Sequence, residues 1–412
     1  MNRINNRKIK TGVSTMKKVL ISSFDMGIGG VERSLISMLQ NFDYDQYKVD
    51  LMLYRHQGEF MKFLSDEVNL LDEIDGYNSF GVPISNLIKD KKITLATSRI
   101  IAKGISKLKA KLSKINDISY YQDQITKVLS QPYLNKIEEE YDIAISYVWP
   151  HYFIANKVKA KKKIAWIHTD YSTIDINRKL DLKMWSKFDY IISISEDCTK
   201  AFINIYPELE DKIILMENIT SPKFIKEMSE EKVEDLIQDE KIFNLVTVGR
   251  LSHAKGIDNA IKALHILNNK GIDNIRWYVV GYGPEEDNIK QLIEEYNLKE
   301  KFILLGKKLN PYPYIKNCDL YVQPSRYEGK AVTITEAQIL EKPILLTNYP
   351  TANSQVTNGI DGIITELSVD GIVNGIEKIL NDSELRNKLS KYNASKDYRN
   401  SYELKKLYKL FD

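Results

Sequence analysis

A chain of 412 residues has room for two or three domains, each able to bury its own core. Hydrophobic residues make up 43% and charged residues 28%, which argues against disorder, and a net charge of +3 is too small to indicate nucleic-acid binding. Cys198 and Cys318 lie far apart and form no metal-like cluster, so they read as free thiols in a reducing compartment.

The chain starts basic and turns apolar, as a signal peptide does, but "VLISSF" is short and no small-residue cleavage site follows it. Residues 1–15 are therefore expected to be a disordered leader, with Met16 as an alternative start. No apolar run approaches the roughly 18 residues of a membrane helix.

From there, short β-branched runs alternate with amphipathic stretches, the pattern of βαβ units around parallel sheets. The first half offers strands "KKVLISS" (17–23), "YKVDLMLY" (47–54), "DIAISYV" (142–148), "KKIAWIH" (162–168) and "YIISIS" (190–195). A helix is expected over 31–42. One segment breaks the alternation: from Lys91 to Asn116 there is no acidic residue, while Lys91, Lys92, Arg99, Lys103, Lys107, Lys109, Lys111 and Lys114 are basic. Ile100, Ile101, Ile105 and Leu108 could form one apolar side. Such a helix either packs on the domain or lies on an anionic membrane.

A polar stretch near residue 220 reads as a linker with a short helix. The pattern then restarts with strand 243–249, helix 256–268, strand 276–281 and helix 284–296. Strands 301–305, 319–324 and 342–347 follow. Two doubly wound halves would put ligands at the C-terminal ends of their strands.

"SRYEGKAVTITEAQ" follows the strand at 319–324 and opens a helix over 331–340. The first amides of a helix are unpaired and carry partial positive charge. Gly329 allows close backbone approach, so this end suits a phosphate. Glu336 can lean back toward it. With Glu328, two carboxylates would accept hydrogen bonds from sugar hydroxyls. "TVGRLSHAKG" places Arg250 and Lys255 in a loop between strand and helix, where they would neutralise a diphosphate. "MGIGGVERS" and "VGYGPEE" both fail the dinucleotide pattern, and no P-loop motif occurs. Asp43 and Asp45 have D-x-D spacing but lie in a short connection away from the strand ends. Asp170 is a candidate for a general base.

In order along the chain, "VTVGRLSHAKG", "VVGYGPEE", "LLGKK", "DLYVQPSRYEGKAVTITEAQILEKPILLT" and "NGIDGII" resemble the retaining glycosyltransferases of family-4 type (glycosyl transferases group 1). The resemblance implies an α/β chain of GT-B fold, with two Rossmann-like domains facing each other across a cleft. The acceptor domain would span 16–220 and the donor domain 221–395. A helix over 396–412 would cross back. Glu328 would contact the donor sugar and Glu336 the ribose. Gly329, Lys330, Ala331 and Val332 would meet the phosphates with Arg250 and Lys255, and Gly306 and Lys307 would lie by the base. Gly29 and Gly30 would approach the diphosphate, and His168 the donor sugar. Lys330 and Ala331 depart from the Phe-Gly of many members, which leaves donor identity open.

The implied reaction is metal-independent, retaining sugar transfer from a UDP-sugar to a glycan or lipid-linked acceptor in surface polysaccharide synthesis. No cofactor is expected. The implied location is cytoplasmic, with peripheral attachment to the inner face of the membrane through residues 91–116. The alternatives are a UDP-sugar epimerase on the same fold, a non-catalytic partner subunit, and a two-carboxylate glycosidase, which would have no use for a phosphate cradle.

Overall fold

The computed structural model describes residues 16–412 except 28, 114–117, 170, 238, 329 and 330. It divides into two units, one made of residues 16–219 and 401–412, the other of 220–400. The expected leader, Asp170, Gly329 and Lys330 lie outside the described residues, as does the end of the basic segment.

The first unit carries a seven-stranded sheet. Its strands are β1 (Lys17–Ser23), β2 (Tyr47–Leu53), β3 (Asn69–Leu70), β4 (Glu140–Ser146), β5 (Lys159–Ile167), β6 (Tyr190–Ser193) and β7 (Ile213–Leu215). All pairings are parallel, in the order β3-β2-β1-β4-β5-β6-β7. Val19 pairs with Ile143 and Ile21 with Ile145. Residues 19–23 of β1 are all buried, because helices cover both faces of a parallel sheet and leave no polar side. Leu20, Ala144, Ala165 and Ile191 meet Trp185, Phe202 and Tyr206 in one core.

The second unit carries six parallel strands: β8 (Phe243–Val248), β9 (Ile275–Val280), β10 (Phe302–Gly306), β11 (Leu320–Gln323), β12 (Ile344–Thr347) and β13 (Ile363–Thr365). Their order is β10-β9-β8-β11-β12-β13. Leu245, Trp277 and Leu345 pack with Ile261 and Leu264 of the helix Ile257–Asn269 and Ile376 of the helix Val369–Asn381. The sheets are Rossmann-like, the pair of halves that defines the GT-B class.

Each sheet reverses its strand order once, between β1 and β4 and between β8 and β11. Clefts outside the strand C-termini open at such points. Asp43 and Asp45 precede β2, so they lie at the opposite edge of their sheet. Asp43 accepts from Gln46 Nε2 at 2.5 Å as a turn contact.

The expected C-terminal helix is shorter than 396–412. Residues 396–400 stay with the second unit, where Thr220 N donates to Asn400 Oδ1 at 2.7 Å. Only Leu404–Lys409 is α-helical. Tyr408 and Phe411 pack on Tyr47 with ring centroids 5.1 Å away in each case, and Lys17 Nζ reaches Asp412 at 2.6 Å. These aromatic contacts attach the chain end to the first unit.

Candidate functional site

In the second unit the loops after β8 and β11 meet at the switch point. Gly256 joins them. Its φ of +64° is left-handed, and a Cβ there would stand 2.1 Å from the Pro324 carbonyl oxygen. Any side chain would clash with backbone, so glycine is required. Arg326 completes the seam. Its amide donates to Ala254 O at 2.8 Å, and its guanidinium donates to His253 O at 2.9 Å and to both Asp258 carboxylate oxygens at 2.7 Å.

That seam brings Lys255 onto Glu328. Lys255 Nζ donates to both carboxylate oxygens, at 2.6 and 2.7 Å. Ser325 Oγ donates to Oε1 at 2.5 Å and Gln323 Nε2 at 2.8 Å. Glu328 is 7% exposed. Oε1 is crowded, whereas Oε2 takes only the lysine among the described residues and keeps acceptor capacity. Two residues read from the sequence as serving different parts of a ligand are thus one ion pair.

Glu336 is buried in the helix Val332–Ile339 and accepts from Tyr312 Oη at 3.0 Å. The amide of Ala331 departs from expectation. It donates to Gln355 Oε1 at 2.9 Å, and Gln355 Nε2 donates back to Ala331 O at 2.9 Å. A side chain 24 residues away has therefore taken one of the amides assigned to phosphate. Val332 stands exposed at the first turn.

Arg250 is exposed and, among the described residues, makes no ion pair. Gly306 ends β10 with φ +70°, and Lys307 Nζ lies 5.5 Å from the Tyr282 ring. Tyr349 was not anticipated. It is fully buried just past β12, and its hydroxyl has no partner among the described residues. Burial and then the Glu328 charge hold its pKa well above the usual phenol range. Its place after a strand end was the sequence signal that could have found it.

In the first unit Gly30 begins the helix Gly30–Gln40 and Gly29 caps it. A Cβ on Gly30 would meet open space, while one on Gly29 would meet the Glu32 carboxylate at 2.2 Å. A carboxylate thus borders the turn expected to approach a diphosphate. Burial, with Asp25 adding to it, raises the Glu32 pKa. His168 follows β5 and packs on Tyr147, ring centroids 4.7 Å apart. Tyr147 Oη lies 2.7 Å from Ser34 Oγ of the Gly30 helix. His168 Nε2 is buried without a partner among the described residues. Burial pushes the His168 pKa down to about 3, so the ring is neutral near pH 7.

Residues 227–396 match the family model described as glycosyl transferases group 1. The capsular polysaccharide biosynthesis glycosyltransferase CapM of Staphylococcus aureus is 30% identical over 237 residues, 54% of this chain and 61% of that protein. The UDP-Gal:alpha-D-GlcNAc-diphosphoundecaprenol alpha-1,3-galactosyltransferase of Escherichia coli is 30% identical over 168 residues, 40% of this chain and 43% of that protein. The match thus spans less than two thirds of either relative. Anabaena Alr3699/HepE, solved with UDP and glucose, superposes with a TM-score of 0.58 at 16% identity, over 96% of this chain and 99% of that one. At that identity the likeness speaks for the fold.

Proposed function

We propose that this chain is a member of the glycosyl transferases group 1, whose model its residues 227–396 match, and moves a sugar from a UDP-sugar to a glycan or lipid-linked acceptor. The transfer retains the anomeric configuration and needs no metal. The observation that carries this reading is the Lys255–Glu328 pair at the switch point, just before a helix whose middle carries a second buried carboxylate, Glu336. The E. coli relative, by its name, uses UDP-Gal and a lipid diphosphate acceptor, which supports both halves of the proposal.

On donor binding, Arg250, Lys255 and the first turn of the helix Val332–Ile339 would face the diphosphate. Lys255 then shares its charge between phosphate and Glu328. Oε2 of Glu328 is left to accept a sugar hydroxyl, and Glu336 accepts from the ribose. The bond from the anomeric carbon to the β-phosphate oxygen breaks as the acceptor oxygen bonds to that carbon on the same face. The acceptor proton passes to the departing phosphate oxygen. The cations stabilise charge where it develops, the preorganised term that dominates much catalysis.

The helix Ile93–Ser113 supports attachment to a membrane. It packs inward with Leu95, Ala102 and Ser106 and turns Ile101, Ile105, Leu108 and Leu112 outward. Leu108 is 60% and Leu112 75% exposed, with Ile101 and Ile105 on the same side. Lys103, Lys107 and Lys111 stand exposed on the neighbouring face, with exposed Ile100 between them. Outward apolar residues flanked by lysines suit an anionic bilayer surface. No helix among the described residues is long and apolar enough to cross a membrane.

The test is incubation of purified protein with labelled UDP-sugars, with and without undecaprenyl-diphosphate-linked GlcNAc. A new glycoside of unchanged anomeric configuration is expected, equally with EDTA. Sugar isomerisation without acceptor, an inverted product, or loss of activity in EDTA would overturn the corresponding part.

A further inference from the structure

The first unit has a pocket at its own switch point, between the ends of β1 and β4. It is walled by Ser23, Phe24, Tyr54, Trp149 and Lys127. Lys127 reaches in from the helix Ser119–Ser130 and is 5% exposed. Its ammonium lies 4.1 Å from the Phe80 ring centroid, 5.3 Å from Tyr54 and 5.4 Å from Phe24. Its one carboxylate neighbour among the described residues, Asp123, is 3.9 Å away, beyond hydrogen-bond length, and half exposed. An ammonium has three donors, and rings attract it without accepting a proper hydrogen bond.

Beside it, Ser23 Oγ is buried and has no partner among the described residues. A buried hydroxyl and a lysine ammonium with no hydrogen bond among the described residues therefore line one small space, and leaving a buried polar group unpaired is costly. The surroundings are fixed. Trp149 Nε1 donates to buried Asp181 at 2.9 Å, and Asp181 also accepts from Tyr206 Oη at 2.8 Å and Trp185 Nε1 at 2.9 Å. Burial lowers the Lys127 pKa, with Asp123 opposing and Arg99 reinforcing that shift. An anion in the pocket would reverse it.

We propose that this pocket is an oxyanion subsite in which Lys127 Nζ and Ser23 Oγ hold a phosphoryl group of the acceptor. The pocket is small and open to solvent on one side, so it suits one small group and not a saccharide chain. The pocket also lies beside the sugar-facing candidate. Val148 lines it, and the preceding Tyr147 packs on His168. Calling the phosphoryl group the acceptor's rests on the proposed glycosyl transfer. The oxyanion site itself stands on the geometry.

The experiment titrates the full chain with inorganic pyrophosphate at saturating UDP, so that the donor site is filled. The readout is the Trp149 indole cross-peak in a nitrogen–proton NMR spectrum. Wild type is expected to shift that peak saturably, Lys127→Met to bind at least tenfold more weakly, and UDP affinity to stay unchanged. An unmoved Trp149 peak in wild type, or equal affinity in Lys127→Met, overturns the proposal. If Lys127→Met fails to fold, Ser23→Ala decides. A three- to tenfold weakening supports the subsite, and unchanged binding refutes it. Farnesyl diphosphate binding more tightly than pyrophosphate assigns the group to a lipid carrier, and equal binding to a soluble phosphate. No turnover is read, so absent transferase activity with intact pyrophosphate binding would sink only the proposed function.

Discussion

Lys255→Met removes the only cation bonded to Glu328 among the described residues. The carboxylate, 7% exposed, would keep Ser325 and Gln323 but lose its counter-charge. Breaking a fully buried pair costs about 3–5 kcal/mol. The Lys255 side chain is 23% exposed, so water can replace it in part, and about 2–3 kcal/mol is expected. Glu328→Gln should cost only about 1 kcal/mol, because the lysine it strands already reaches solvent. The double variant should then be less destabilised than the sum by about 1–2 kcal/mol. Urea unfolding, followed at the indole cross-peak of buried Trp277 in the second unit, measures all four proteins. Equal single costs that add in the double variant would refute the charge argument.

Gly256→Ala should destabilise the second unit by at least about 2 kcal/mol, read by the same unfolding curve, because it combines positive φ with a backbone clash. Arg250→Ala should weaken UDP binding about ten- to a hundredfold in calorimetry and leave stability unchanged, since a charge-assisted hydrogen bond contributes roughly 1.5–3 kcal/mol. Replacing Lys103, Lys107, Lys109 and Lys111 with glutamate should abolish sedimentation with anionic liposomes while circular dichroism stays unchanged; cosedimentation equal to wild type would remove the membrane proposal. His151 is fully buried, and burial, with His168 adding to it, pushes its pKa down to about 3. The unfolded chain takes up that proton near pH 6.5 and the native one does not. First-unit stability should therefore fall between about pH 6.5 and 3, by up to roughly 1.4 kcal/mol per pH unit from His151 with a like share from His168, and His151→Asn should about halve the slope.

The strands were legible where burial on both faces writes itself as a continuous β-branched run, as in "KKVLISS". β3 and β7 are two and three residues long, too short to carry a pattern. The carboxylate pair of the helix segment was readable because both members lie on one local stretch. Its electrostatics were not. Lys255 is 73 residues from Glu328, and only the seam at Gly256 closes that distance. Gln355 taking the Ala331 amide gives no sequence signal, because a loop glutamine is ordinarily solvated. The basic segment showed its charges and apolar side, but not which side faced out. The Lys127 pocket was invisible because its aromatic walls come from separate loops of the first unit.

The return of residues 401–412 makes the second unit an insertion within the first. Both points of entry and exit close on themselves. Thr220 bonds Asn400, and Glu217 N donates to Glu403 Oε2 at 3.0 Å. The second unit can therefore be cut out as one uninterrupted gene fragment, whereas no single truncation yields the first. Residues 219 and 401 would have to be spliced, and their neighbours already lie close enough for a linker of a few glycines. A domain-exchange library should place its two junctions there, because a crossover at only one of them would separate Tyr408 and Phe411 from the parental Tyr47 on which they pack.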